Sequence, residues 1–174
     1  MIQRFNLEGI SGGNAVFNTE KLDWFNHQHL LRLTDDELIA RLNLRADARI
    51  PAILALLRPR CKKLTDFADQ LQPFFEEPSS YDPDAVKKHL STPGTKEHLL
   101  ALKNAYAAAD WNEAALEKVL RALADARTVK AGMLIQGSRI AMTGRMVSPG
   151  LFEMLVLLGR ETVLTRLDRL AATL

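Results

Sequence analysis

The sequence predicts an all-α protein, a multi-helix cage or bundle of two adjoining helical subdomains, and three observations predict it. Apolar residues recur at helical spacing, most cleanly as Leu116, Val119, Leu120 and Leu123 at i, i+3, i+4 and i+7. No segment shows the apolar–polar alternation of a half-buried strand. The apolar stretches open on hydroxyl, Asn or Pro residues and several close on Gly, which are the start and stop signals of helices. Roughly nine or ten short helices fit the chain.

The elements follow in order. Met1–Asn18, punctuated by Gly9, Gly12, Gly13 and Asn14, reads as an irregular loop. Its glycines lack the spacing, and the preceding strand, of a phosphate-binding loop. Thr19 to Arg32 reads as a helix whose buried side is marked by Leu22, Phe25, Leu30 and Leu33. Trp24, Phe25, Phe74 and Phe75 are expected in the core, although exposed aromatics also serve RNA binders as stacking platforms. Thr34 and Glu37 form a capping-box signature for a second helix that fades near Asn43. Ile50–Leu57 is a third helix. Pro59 disfavours helical geometry at Arg58, and a bend there is expected to push Arg58 and Arg60 outward. Leu64 to Leu71 is a short helix before Pro73. The segment that follows, with Pro73, Pro78, Pro83 and two serines, is the best boundary in the chain, dividing it into subdomains 1–73 and 74–174. Asp82–Leu90 and Thr95–Asp110 are helical around a Ser91–Gly94 turn, Asn112 caps the next helix, and Glu161–Ala172 follows Gly159 as the last.

The stretch Ala131–Arg160 carries no acid before Glu153 but holds Arg139 and Arg145. It reads as two helices meeting at a corner. The first runs from Ala131 to Thr143 and stops at Gly144, a residue that adopts the left-handed conformation at little cost. Ser148 is positioned to cap the second and Pro149 to take its first helical place. A positive helix N-terminus beside arginines suits an anion or an RNA base edge.

Bulk charge is uninformative: the formal net charge is +2. Its distribution says more. Ala48–Thr65 holds five basic residues and no acid, and Ala126–Phe152 holds four and no acid. Such stretches gathered on one face make an electrostatic footprint for RNA, although ordinary solvated charges look the same in sequence. The single cysteine, Cys61, excludes an internal disulfide and fits a reducing compartment. No apolar run is long enough to span a bilayer, so a soluble, cytoplasmic protein without membrane contact is expected, with a monomer as the default. The four histidines and the acids show no zinc spacing, so no metal site is expected. Asp35, Asp36 and Glu37 fit a helix N-terminus, where acids complement the dipole, better than a catalytic pair. No catalytic residues are assigned.

Three segments carry a resemblance. GSRIAMTGRMVSPGLFEMLVLLGRETVLTRL, FNLEGISGGNAVFNTEKLDWFNHQHL and LLRPRCKKLTDFADQLQPFF resemble, in order and interval, the C-terminal anticodon-binding region of bacterial-type glutamyl-tRNA synthetases, class I enzymes. The resemblance covers essentially the whole chain. It implies an anticodon cage of two helical subdomains. It also implies the partners: a glutamate tRNA and the catalytic half of a synthetase, in cis or in trans. The family's HIGH-like and KMSKS-like signatures are absent from this sequence. No cofactor is therefore expected here; ATP and Mg would belong to the catalytic domain, and the chain alone is expected not to ligate glutamate to tRNA. Arg60 matches the arginine that in this family reads the first anticodon base, Arg139 the one near the third. Ser148 stands where the family often has the threonine contacting the middle base, and Pro149 and Leu151 match residues flanking the last two bases. Arginine supplies a planar donor fork and serine a donor–acceptor hydroxyl, which suits the edges of splayed single-stranded bases. Arg58, Lys62, Lys63, Lys130 and Arg145 are the candidates for backbone phosphates, contacts that position without specifying.

Each assignment has a plainer reading. Arg139 also fits a solvated helix surface, Ser148 a simple cap and Leu151 the core. Two departures from the family bear on anticodon preference: Asn26–His29 replaces a tyrosine-ended motif, and Gly137-Ser138-Arg139 replaces Pro-Leu-Arg. The rival function is a stand-alone interaction or regulatory protein that kept the fold without tRNA reading. Arg60, Arg139 and the Ser148–Glu153 corner speak against it.

Overall fold

A computed structural model of the chain describes residues 17–174, and those residues form ten helices and no strand. They are α1 (Thr19–Arg32), α2 (Asp35–Leu42), α3 (Ile50–Leu57), α4 (Leu64–Phe75), α5 (Pro83–His89), α6 (Thr95–Ala107), α7 (Glu113–Ala126), α8 (Ala131–Thr143), α9 (Leu151–Leu158) and α10 (Arg160–Thr173). The loop expected over Met1–Asn18 lies, but for its last two residues, outside the described residues.

The local signals act as anticipated at most ends. The Thr34 hydroxyl accepts the Glu37 amide while the Glu37 carboxylate accepts the Thr34 amide, which completes the capping box of α2. The helix ends on Asn43 in the left-handed region. The Asn112 side chain accepts the Ala115 amide at 3.0 Å and starts α7. Gly144 closes α8 at φ 73°.

Helix α10 packs against α6, α8 and α9, and α7 packs against α6, α8 and α9. Their shared core holds Leu99, Leu102, Tyr106, Leu116, Leu120, Leu134, Ile140, Met142, Leu155 and Leu167, all fully buried. The same apolar cluster continues into the first half through Leu38, Ile53, Leu54, Leu57, Cys61 and Phe67. Burial pushes the Cys61 thiol up to about 12, so it stays protonated and behaves as a small hydrophobe.

Two expectations change. Helix α4 continues through Pro73 to Phe75, so the anticipated boundary at 73/74 falls inside a helix, and the non-helical connector is 76–82. Two polar links also tie the chain's halves together. Arg49 Nη1 donates to Leu157 O, and the buried Arg166 donates to Pro73 O, Glu76 O and Met142 O at 2.7–2.8 Å. Finally, the aromatic assignments divide. Phe74 is buried, but Trp24, Phe25 and Phe75 are 56%, 47% and 44% exposed, and Leu22 is exposed as well. Adjacent residues on a helix point about 100° apart, so one of Phe74 and Phe75 had to leave the core. Helix α1 buries only Leu30, because its inner edge is held by polar contacts rather than by an apolar stripe.

Candidate nucleic-acid interface

The corner between α8 and α9 gathers most of the base-reading candidates. Arg139, in the third turn of α8, donates from Nε to Ser148 Oγ at 3.0 Å, and Ser148 Oγ donates to Pro149 O at 2.8 Å. The two terminal guanidinium nitrogens of Arg139 have no protein partner among the described residues. The fork is thus aimed by Ser148 while its outer donors stay available. Thr143, which the sequence reading missed, ties the corner together. Its Oγ1 lies 2.9 Å from Arg139 O and accepts the Arg145 amide at 3.1 Å. The signal for it was a threonine directly before the glycine that stops a helix, where hydroxyls commonly bond back to the preceding turn. Gly144 completes the turn: its carbonyl accepts the Asp82 amide at 2.8 Å, pinning the corner to the start of α5.

Ser148 does not cap α9. The helix begins at Leu151, its N-cap is Gly150 without a side-chain cap, and Pro149 precedes it as a buried residue. The hydroxyl is engaged by Arg139 and by its neighbour's carbonyl instead. Nor is the N-terminus of α9 an open anion site. The Glu153 carboxylate folds back against Gly150, so closely that a Cβ there would collide with it, and it answers the positive end of the helix. Leu151 is 4% exposed, so it and Pro149 act as the floor of the corner rather than as free surface.

The second cluster lies on the α3–α4 connector. Arg60, Lys62 and Lys63 are exposed there; Lys63 pairs with Asp23 of α1 at 3.2 Å. Arg58 is turned inward, against the outward expectation. Its guanidinium donates to Leu30 O and Leu33 O at the end of α1 and pairs with Asp35. Those partners engage its donors, so it fastens the α1–α2 turn and has little to offer a phosphate. The connector is itself held from α1: Asn26 Nδ2 donates to Lys62 O, and His27 Nδ1 bonds Cys61 O at 2.8 Å. Asn26 and His27 belong to the departure noted in the sequence, and they turn out to be the groups that fix the Arg60 loop.

The structure does not join the two clusters. No hydrogen bond or salt bridge among the described residues links Arg60 to the Arg139–Ser148 pair; each sits on its own element. Lys130 is exposed at the start of α8, about 13 Å along the axis from Arg139 by helical rise. Arg145 is exposed at the rim of a cleft lined by Gln72, Glu76, Glu77, Asp82 and Thr143, whose acids disfavour phosphate within it. What the molecule presents is a set of donors on separate elements, the α3–α4 connector and the α8–α9 corner.

The model of the anticodon binding domain matches residues 21–171. The chain belongs to the anticodon binding domain family. Among relatives of this anticodon binding domain, Glutamate–tRNA ligase 2 of Koribacter versatilis is 41% identical over 97% of this chain, and Glutamate–tRNA ligase of Thermus thermophilus is 35% identical over 98%. The chain spans 38% of the length of each. The crystal structure of a glutamate tRNA ligase from Elizabethkingia meningosepticum matches 99% of the chain with a TM-score of 0.84 at 23% identity, covering 36% of that protein; it supports the all-α fold.

Proposed function

We propose that this domain reads the anticodon loop of a glutamate tRNA and so supports glutamate–tRNA ligation by a catalytic part that lies outside this chain. The observation that carries the reading is the Arg139–Ser148 pair. An arginine whose Nε is fixed by a hydroxyl keeps a planar, pre-aimed fork, and pre-aiming lowers the entropy lost when a base edge is bound. Arg60, exposed on a connector that α1 braces, is the second reader. Lys62, Lys130 and Arg145 are the phosphate contacts, and Lys63 joins them when it leaves Asp23. Arg58 is omitted from that set because its donors are engaged within the fold. Pro149 and Leu151 shape the corner beneath the readers. ATP, Mg and the ligation step belong to the catalytic part, so the chain alone binds without turnover.

Replacing Arg139 by Ala tests this. A well-placed bidentate arginine gives about 1–3 kcal/mol of base discrimination. The variant is expected to lose about tenfold in affinity for a glutamate-tRNA anticodon stem–loop and to discriminate less at one base. Unchanged affinity and unchanged discrimination would contradict the role.

A further inference from the structure

A cleft of about 360 Å³ lies between the end of α1, α2 and the start of α4. Asn26, His29, Arg32 and Arg41 line it beside Leu30, Leu33 and Leu64, and no acid does. The acids of the neighbouring turns are engaged elsewhere. Asp35 pairs with Arg58, the Glu37 carboxylate accepts the Thr34 amide, and Asp66 accepts the Lys62 and Lys63 amides. The cations of the cleft are not engaged in the same way. His29 and Arg32 have no hydrogen bond or salt bridge among the described residues, and Arg41 has only a long one, 3.4 Å from Nη1 to Glu37 O. A role at the helix end does not account for them. Cations suit the last turn of a helix, but Leu30 O and Leu33 O at the end of α1 already accept hydrogen bonds from Arg58. Within the departure from the family pattern, Asn26 and His27 hold the Arg60 connector, whereas His29 faces the cleft.

We propose that this cleft is a phosphate subsite, holding the RNA backbone next to the base that Arg60 reads. The proposal rests on the anticodon reading above. Two observations choose the ligand. The first is chemistry: two guanidinium groups and an imidazole, with no acid among the lining residues, suit a phosphate, whose oxygens match the planar donors of arginine. The second is place. The basic run that carries Arg60 leads directly into Leu64, which lines the cleft, and Asn26, on the cleft wall, donates to Lys62 O. Four residues separate Arg60 from Leu64, at most about 14 Å of chain, a span that a short stretch of RNA backbone covers. A phosphate held there carries no sequence information itself. It fixes the register of the loop, so that the Arg60 fork meets one base and not its neighbour.

The test uses the full 174-residue chain and glutamate-tRNA anticodon stem–loops across a salt series. An Arg32→Gln/Arg41→Gln double variant should bind every stem–loop about tenfold more weakly. Its slope of log K against log salt should be flatter by about 0.7, the value for one single-strand phosphate. Discrimination between anticodons should stay as in wild type, and so should the thermal melt, because both side chains are exposed. Arg32→Lys/Arg41→Lys should recover most of the slope, since charge alone carries it. The His29 imidazole resonances should move when the stem–loop is added to wild type, and much less in the Gln variant. The proposal is overturned if the Gln variant keeps wild-type affinity and slope, or if it loses discrimination rather than slope. It is equally overturned if inorganic phosphate moves the His29 resonances while the stem–loop does not, which would make the cleft a site for free anions. A wild type that binds all anticodons alike, with the slope still flattened in the Gln variant, would defeat the anticodon reading and leave the subsite standing. A wild type that binds no stem–loop overturns both.

Discussion

Arg58 and Arg60 stand two residues apart in one basic run, yet the fold uses them oppositely. Arg58 reaches back to two carbonyls at the end of α1 and to Asp35, while Arg60 faces solvent. Nothing in the run itself distinguishes them, because the choice depends on where α1 ends in space, and that is set by tertiary packing. The difference is measurable. Arg58→Met is expected to destabilise the chain by about 2 kcal/mol, since it removes the hydrogen bonds to Leu30 O and Leu33 O and the ion pair with Asp35 that fasten the α1–α2 turn. It should leave the salt dependence of RNA binding unchanged. Lys62→Met should do the reverse, holding stability while flattening the slope of log K against log salt by about 0.7, the value for one single-strand phosphate contact. Denaturant unfolding and a salt titration read the two effects separately. Ser148 teaches a related lesson. The sequence marked it as a polar group at a helix start, but the hydroxyl had two competing partners, and Arg139 outbid the helix amides.

At the scale of elements the sequence was most legible where a side chain bonds its own neighbours. The capping box at Thr34, the Asn112 cap and the stop at Gly144 are all local, and α1, α3 and α8 have the bounds their signals indicate. It was least legible where a distant group intervened. Pro73 reads as a terminator, but α4 runs through it, and the Pro73 carbonyl accepts a hydrogen bond from Arg166 ninety-three residues on. Periodicity alone also misjudged α1. Its leucines and aromatics promised a core face, whereas most of them are exposed. Of the candidate site, the residue types and the corner were readable; the pairing of Arg139 with Ser148 and the bracing by Thr143, Asn26 and His27 were not, because each depends on a side-chain direction. The corner's backbone gives a sharp prediction. Gly144 sits at φ 73°, and a Cβ there would approach Ser80 O to 2.5 Å. Gly144→Ala should therefore cost at least about 2 kcal/mol, combining left-handed strain with overpacking against backbone. It should weaken anticodon binding through the displaced Arg139 and Ser148. A thermal melt within experimental error of wild type would contradict this account of the corner.

At the scale of the molecule, the site works only if its two clusters keep a fixed spacing. Arg166 and Arg49 supply that rigidity. Arg166 is buried with its terminal nitrogens on Pro73, Glu76 and Met142 carbonyls, and burial lowers its pKa from the usual arginine range, an effect the Glu77 carboxylate offsets only in part. Arg49 joins α3 to α9 through Leu157 O while Asp47 holds it, and that pairing brings the Asp47 carboxyl down to about 2. The halves thus hold Arg60 on the α3–α4 connector and the Arg139–Ser148 fork at the α8–α9 corner. The central claim is that the domain reads an anticodon rather than merely attracting RNA. The most direct measurement is the affinity of the wild-type chain for a panel of glutamate-tRNA anticodon stem–loops that differ at single anticodon positions, taken across a salt series. The account predicts binding that falls with salt and that drops about tenfold or more for substitutions at the bases facing Arg60, Ser148 and Arg139. Equal affinity for every anticodon at every salt concentration would contradict it and leave only a basic surface.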